Sequence, residues 1–463
     1  MARSRSTVVT TLRSISCHGL LVKFCDFSAQ HFLLIHLRRV KYETMRSLLD
    51  VVGRLSPSPA GTRPRHFSLI DLGSDTVKAV VVRREKTGAR VLGFGFAPTE
   101  GRGLGGGRAN VAALASITDG ALVAAEDRTN VADRGKVVPD EALFCIPARF
   151  IRGECFAVRQ TRADPTDPIA TRELKSVWER VERLARERLP SLGEDDVTWK
   201  PLAITPGAIT VDGLQVTDPV ALKGRELSLS AFGVAVWPQA LQTIETVAER
   251  LELALITVVA APQSLASIVP QREAILVEIG AQGTSVHLVQ HDALVSTAWW
   301  PQGGEFFTRS LSQAFRCVSE EAEALKRAYA DQALSARDED LVAQALVNPT
   351  NAWLETLVAW LFHSVKSEST CRPVNAPLDS SRANLLPGRI YLTGGGSLLP
   401  DLATALRSLE AVPSLSFRRS LEIQPLGLSL GARTPGRLPL LDVPPHPVSD
   451  LLTPAMSLAT CLE

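Results

Sequence analysis

A chain of 463 residues, 45% of them apolar, can bury more than one core, so roughly two to four domains are expected. The formal net charge is +1, and the globular part has no basic cluster with interleaved aromatics, which argues against a nucleic-acid groove. The seven cysteines form no Cys-x-x-Cys pair and have no histidine at ligand spacing, and no apolar run reaches the length of about 18 residues that a membrane span needs.

Residues 1–66 differ from the rest, with eleven Lys and Arg against three acids. Gly19 to Phe24 is too short, and too interrupted by Lys23, for the apolar core of a signal peptide. Two readings stand for this segment. Translation begins at Met45, ahead of a linker from Ser56 to Gly61, and residues 1–44 are an upstream extension. Alternatively, Leu33, Leu34, Leu37, Val40, Leu48, Leu49 and Val52, with Arg38, Arg39, Lys41 and Arg46 beside them, form a basic amphipathic helix lying on a membrane.

The next stretch predicts a β-hairpin. A buried strand from Phe67 to Leu72 enters the polar turn Gly73-Ser74-Asp75-Thr76, and a second strand leaves through Val77 to Val82. Gly73 lets the backbone approach a ligand, and successive amides in such a turn can hold an anion. Asp71 can hold a hydrated divalent cation and Lys78 can meet phosphate oxygens. The plainer alternative is an ordinary hairpin with a solvated lysine. A third strand follows at Val91 to Phe96, then a glycine-rich loop at Gly101 to Gly107. Gly105, Gly106 and Gly107 lack a following Lys-Ser/Thr, so the P-loop pattern fails there. Asn110 is placed to cap a helix running to about Glu126, with Gly120 as a weak point. Residues 67–140 make up the first half of this reading.

A distinct strand-helix-strand-strand module is expected over 141–236. It contains strands at Ala142 to Ile146 and Phe150 to Val158, an amphipathic helix from Ile169 to Leu189, and strands at Trp199 to Val216 and Glu226 to Val236. The module has no His, no paired carboxylates and no serine elbow, so it reads either as a contact surface or as a structural insertion. Residues 237–273, with a helix at Leu241 to Leu253 and a strand at Leu255 to Ala261, return to the first half.

Ala274 to Val289 repeats the design of the first hairpin: apolar strand, an acid (Glu278), Gly280, a small polar turn ending in Thr284-Ser285, then a second apolar strand. Two such hairpins predict a duplicated fold over 67–273 and 274–463, with a phosphate chain lying between the two turns. His287 and His291 are four apart and could share a helix face, but the segment reads as a strand, which argues against a metal site. Gln302-Gly303-Gly304-Glu305 precedes a helix through Phe306, Leu311 and Phe315. Ser319-Glu320-Glu321 opens another helix, Trp353 to Val365 is a third, and a strand from Arg389 ends in Gly394-Gly395-Gly396, where a flat ring can lie on the backbone.

Three glycine turns in this order resemble the actin-like ATPase superfamily, an actin-like (ribonuclease H-like) duplicated α/β fold. Asp71-Leu-Gly-Ser matches its first phosphate loop, Glu278-Ile-Gly-Ala-Gln-Gly-Thr its second, and Thr393-Gly-Gly-Gly its adenosine loop. Within it, from Phe67 onward, the chain resembles the bacterial cell-division FtsA family, with the pilus-assembly PilM family of the same branch as nearest competitor. The likeness rests on the inserted module, the stretch Ile209 to Leu227 inside it, and Gln302-Gly-Gly-Glu ahead of the Glu320 to Lys326 helix.

The resemblance implies ATP with magnesium in a cleft between two halves. It also implies self-association into filaments at the inner face of the cell membrane, and partnership with a tubulin-like division protein and the other proteins of the division machinery. Gly73, Ser74, Thr76 and Lys78 would meet the phosphates from one side, and Gly280, Gly283, Thr284 and Gly303 from the other. Asp71 would organise the magnesium and, with Glu278, supply the acids for any hydrolysis. Glu321 and Lys326 would lie near ribose and adenine, and Gly394, Gly395 and Gly396 behind the adenosine. Electrostatic positioning would be the mechanism.

The chain departs from the family pattern in carrying Glu278 for the usual Asp and Ala281-Gln282-Gly283-Thr284 for the usual Gly-Gly-Thr-Thr. A shift of about 1 Å in the acid can cost on the order of a hundredfold in rate, so nucleotide binding without turnover is an expected outcome. No Lys or Arg follows Arg437, so the family's basic C-terminal membrane helix is not matched. The alternatives carried forward are a cytoplasmic PilM-like scaffold of a pilus or secretion assembly and a sugar or acetate kinase, against which no catalytic-base motif is found.

Overall fold

The computed structural model describes residues 65–85, 88–104, 110–130, 135–193, 197–366, 385–426, 440–444 and 448–462. The two readings of the N-terminal segment up to residue 64 and the Gly105–Gly107 loop lie outside the described residues. In chain order the first strands are β1 (His66–Leu72), β2 (Thr76–Glu85), β3 (Gly88–Pro98), β4 (Glu141–Ile146), β5 (Ile151–Thr161), β6 (Lys200–Val211), β7 (Leu214–Val216) and β8 (Glu226–Val236). The later ones are β9 (Ala254–Ala260), β10 (Ala274–Ile279), β11 (Thr284–Gln290), β12 (Ala293–Trp300), β13 (Arg389–Thr393), β14 (Glu422–Pro425) and β15 (Leu440–Leu441).

These strands form three sheets. One has the order β15-β3-β2-β1-β4-β9, the second β12-β11-β10-β13-β14, and the third β5-β8-β6-β7. The first two share one plan, an antiparallel meander of three strands extended by two parallel ones: β3-β2-β1-β4-β9 corresponds to β12-β11-β10-β13-β14. The duplication is therefore written into the strand order. Residues 67–72 of β1 are all buried, as expected for a central strand covered on both faces. In parallel-rich sheets of this kind ligands bind outside the carboxyl ends of the strands, which places Asp71 and Glu278, near the ends of β1 and β10, at the position of interest.

The third sheet carries the helix Thr171–Arg188 across it, with Leu174, Val177, Trp178, Val181 and Ala185 buried and the charged face outward. The strand placed between Trp199 and Val216 is a hairpin, β6 and β7, turning at Asp212 and Gly213 with φ of 50° and 79°. Positive φ at both central residues suits the tight Asp-Gly turn, and Asp212 Oδ1 further accepts from the amides of Arg225 (2.8 Å) and Glu226 (2.7 Å).

Several boundaries differ from expectation. Strand Glu141–Ile146, assigned above to the module, pairs with β1 and β9 in the first sheet, because its buried apolar run needs a sheet covered on both faces. Residues 440–444 and 448–462, assigned to the second half, return to the first: β15 pairs with β3, and the helix Val448–Ser457 adds Leu452, Ala455 and Met456 to the first core. Asn110 precedes the helix Val111–Asp127 but makes no side-chain cap, since its Nδ2 donates to the Gly103 carbonyl. The helix expected from Trp353 starts at Ala336 and runs through Pro349 to Lys366. Proline removes one backbone bond there, but Val342, Leu346, Trp353, Leu357 and Leu361 all join the second core and hold both sides of it. No helix among the described residues is long and apolar enough to cross a membrane.

Candidate functional site

The first hairpin places Asp71 directly opposite Lys78 in the β1–β2 ladder. Lys78 Nζ donates to Asp71 Oδ2 at 2.7 Å, and the carboxylate is 5% exposed. Burial pushes the Lys78 ammonium down, but the charge and hydrogen bond of Asp71, with the charge of Glu278, outweigh it and hold its pKa above the ordinary lysine value. The turn between them is braced from behind. Buried Thr99 donates its amide to the Asp75 carbonyl at 2.8 Å and its hydroxyl to the Ser74 carbonyl at 2.6 Å.

The second hairpin places Glu278 opposite Ser285 in the equivalent rungs of β10 and β11. Ser285 Oγ donates to Glu278 Oε2 at 2.9 Å. Burial and the nearby Asp71 charge raise the Glu278 pKa against the pull of Ser285 and Lys78. The charges of Asp71 and Glu278 thus act on each other from opposite halves, and that of Lys78 acts on both. Cys145, beside Asp71 in β4, completes the floor; burial and then the two acids push its thiol well up, so it stays neutral. Its counterpart in the second half is Thr393, paired with Glu278.

The second turn is fastened to the helix Gly304–Phe315. Gly280 and Ala281 carbonyls accept from the amides of Gly304 and Glu305, each at 2.8 Å. A methyl on Gly303 would lie 2.4 Å from the Gly280 carbonyl oxygen and 2.5 Å from the Gly283 nitrogen, so only glycine lets helix and turn meet. Gly394 has φ of 85°, and a Cβ there would lie 2.5 Å from the Ile279 carbonyl oxygen, which packs the third glycine turn against the end of β10.

These contacts divide the candidate residues. Gly73, Ser74, Thr76, Gly280 and Gly394 are half-buried and Gly395 is exposed, so a ligand can reach them. Gly283, Gly303 and Gly396 are buried in turn-to-turn packing. Thr284 is fully buried, and its hydroxyl donates to the Gln302 carbonyl at 2.6 Å while accepting from Trp353 Nε1 at 2.9 Å. That side chain is a strut and is not free for a phosphate. Lys326, expected near the nucleoside, is 9% exposed, and its Nζ is shared among Glu323 (2.6 Å), Thr308 (2.7 Å) and the Gly304 carbonyl (3.0 Å). Burial pulls Glu323 up, but hydrogen bonds from Lys326, Thr308 and Arg327 prevail and lower its pKa to about 2. Glu321 is exposed on the same helix.

Two further observations bear on what the cleft can hold. The Thr393 hydroxyl and the Gln302 side-chain oxygen are buried without a hydrogen-bond partner among the described residues. Each orphaned group costs about 1–3 kcal/mol, which a ligand offering a donor and an acceptor would recover. Together with the acid pair, Lys78 and the reachable glycine backbone, they fit a phosphorylated ligand with a divalent cation. No group of three or more metal-ligating side chains exists among the described residues, so a cation here would share its ligands with phosphate and water.

Sequence reasoning missed four residues at this site. Cys145 is visible only through the β1–β4 register. Ser285 and His287 had a signal, since two polar side chains alternating on the inner face of an apolar strand are unusual. Arg149, just past β4, bonds to Gln282 of the second turn and stacks its guanidinium 5.7 Å from the Trp299 ring and 4.7 Å from Phe150. Burial lowers its pKa, and Glu305 opposes that. His287 and His291 do not form a metal pair: His287 is buried in β11, and His291 lies in the β11–β12 turn.

No family model matches the chain. It is 23% identical over 357 residues to the cell division protein FtsA of Streptococcus pneumoniae, covering 73% of this chain and 72% of that protein. The cell division protein FtsA of Enterococcus hirae is 24% identical over 359 residues, covering 74% and 76%. Among solved structures, the PilM-PilN type IV pilus biogenesis complex superposes with a TM-score of 0.55 at 18% identity, covering 85% of this chain and 97% of that one.

Proposed function

We propose that this chain, an actin-like protein of the branch that holds FtsA and PilM, binds ATP with magnesium between its two halves and works as an adaptor of the cell-division machinery. The observation that carries the nucleotide reading is that equivalent acids, Asp71 and Glu278, stand at the ends of equivalent strands, with charges that act on each other and on Lys78.

Asp71 would hold the cation and its water, and Lys78 would exchange part of its bond to Asp71 for a phosphate oxygen. Gly73 and Gly280 would let the two turns close on the phosphates from either side, and the exposed Gly395 would lie under the adenosine. Bound magnesium supplies neutralisation of phosphate charge. The reading also includes self-association into filaments and tethering of a tubulin-like division protein at the inner face of the membrane. Matches to FtsA proteins from several bacteria favour division over pilus assembly; the PilM-PilN superposition supports the fold and keeps a pilus or secretion scaffold as the second reading.

Co-sedimentation of the purified chain with a tubulin-like division protein in Mg-ATP tests the partner, and negative-stain imaging of the same sample tests filament formation. Capture of a pilus membrane protein in place of the tubulin-like one would transfer the assignment to the second reading.

A further inference from the structure

Behind Glu278 runs a line of buried polar groups that the nucleotide reading does not use. Ser285 and His287 alternate along β11 and so share a face. Ser285 Oγ lies 2.9 Å from Glu278 Oε2 and 3.1 Å from His287 Nε2, while His287 Nδ1 lies 2.8 Å from Thr297 Oγ1 on β12. His287 is fully buried and Ser285 is 2% exposed. No bulk water can replace a missing partner here. Burial also lowers the His287 pKa to about 3, so the ring is neutral and carries one N–H.

We propose, building on the reading of Glu278 as the cleft acid of the second half, that Ser285 and His287 are positioning residues that hold Glu278 as an oriented hydrogen-bond acceptor facing the cation side of the cleft. The argument is a count of protons. Ser285 has one hydroxyl hydrogen, and an ionised Glu278 carboxylate only accepts, so that hydrogen goes to Glu278 Oε2. The contact between Ser285 and His287 must then be donated by the ring, which puts the imidazole hydrogen on Nε2. Nδ1 is left bare and accepts from the Thr297 hydroxyl. One polarity satisfies the whole line from Thr297 through His287 and Ser285 to Glu278, and the reverse polarity would leave the carboxylate without its donor.

The line has a second consequence. Thr297 lies against the module: a Cβ on Gly153 of β5 would come 3.0 Å from its methyl. The tautomer of His287 is therefore fixed from the cleft on one side and from a wall of the module contact on the other.

The test is nitrogen NMR of the full chain with labelled histidine. The parent should show His287 as the Nε2–H tautomer. Ser285→Ala removes the acceptor on that side, leaves Thr297 Oγ1 as the ring's remaining partner, and should move the hydrogen to Nδ1. Ser285→Thr, which keeps the hydroxyl, should restore the parent tautomer. An Nδ1–H parent, or a tautomer indifferent to Ser285→Ala, overturns the proposal.

A second readout is the magnesium dependence of fluorescent-nucleotide affinity. Loss of a residue that orients a cation-side ligand typically costs about tenfold or more, so Ser285→Ala should weaken binding by that factor in magnesium while Ser285→Thr stays near the parent. Equal affinity of parent and Ser285→Ala in magnesium overturns the positioning role. A parent that binds no nucleotide at all refutes the function above, and the tautomer of His287 then decides this proposal alone.

Discussion

Lys78→Met removes the cation between the two halves while keeping a stem of similar length. Asp71, 5% exposed, would be left charged opposite Glu278 with its one 2.7 Å ion-pair partner gone. Breaking a buried pair by deleting one member costs about 3–5 kcal/mol. The Lys78 side chain is itself 19% exposed, which places the expected loss near the lower end, at about 3 kcal/mol. The double variant Asp71→Asn/Lys78→Met removes both charges and should recover much of that loss, giving a coupling of about 2 kcal/mol. The Lys78 pKa is raised in the fold, so its contribution is complete below the ordinary lysine value and disappears only as pH rises through the raised one. The loss should therefore be constant from about pH 6 to 9. Urea unfolding followed by tryptophan fluorescence measures all four proteins: the parent, Lys78→Met, Asp71→Asn and the double variant. A Lys78→Met variant within about 0.5 kcal/mol of the parent, or a double variant whose loss equals the sum of the singles, would refute the cation's role in the fold.

Three further outcomes follow from the same contacts. Gly303→Ala puts a methyl against backbone atoms on three sides and should lower unfolding free energy by about 2 kcal/mol, measured by the same titration. Gly120→Ala meets nothing within 4 Å in the middle of the helix Val111–Asp127 and should instead raise the melting temperature, by an amount equivalent to about 0.5–1 kcal/mol. Glu323, whose pKa falls from 4.5 to about 2 on folding, contributes stability that is present above pH 4.5 and lost as pH falls through about 2. Glu323→Gln should remove that loss from an acid titration followed by circular dichroism; a parent and variant with superimposable acid curves would show that the Lys326 contact carries no stability.

The duplicated plan was legible because both hairpins carry the same local signals: an apolar run, an acid two residues before a glycine, and a polar turn. Asp71, Gly73, Lys78, Glu278 and Gly280 could be named from that pattern, since glycine and charge at a strand end are local features. Thr284 and Lys326 are assigned through resemblance; Glu323 stands at local i,i+3 spacing from Lys326, but Trp353, Gln302 and Thr308 come from elements whose contact no local pattern announces. Arg149 and Cys145 reach the site through sheet order, which the sequence does not spell out. The strand Glu141–Ile146 and residues 440–444 and 448–462 fall outside their expected units for the same reason. Each is contiguous in sequence with one unit, and its apolar side chains are completed by another. Pro349 shows the limit of punctuation signals, because packing on both sides of it holds a helix that the proline alone would end.

Titration of the full chain with fluorescent ATP in magnesium, beside Gly395→Glu, tests the central claim most directly. Gly395 is exposed in the third turn, so the glutamate should leave the fold intact and fill the place where the adenosine would lie. Saturable binding by the parent that the folded variant loses is the predicted result. A folded parent that binds no nucleotide, or a variant that binds as well as the parent, would contradict the cleft assignment.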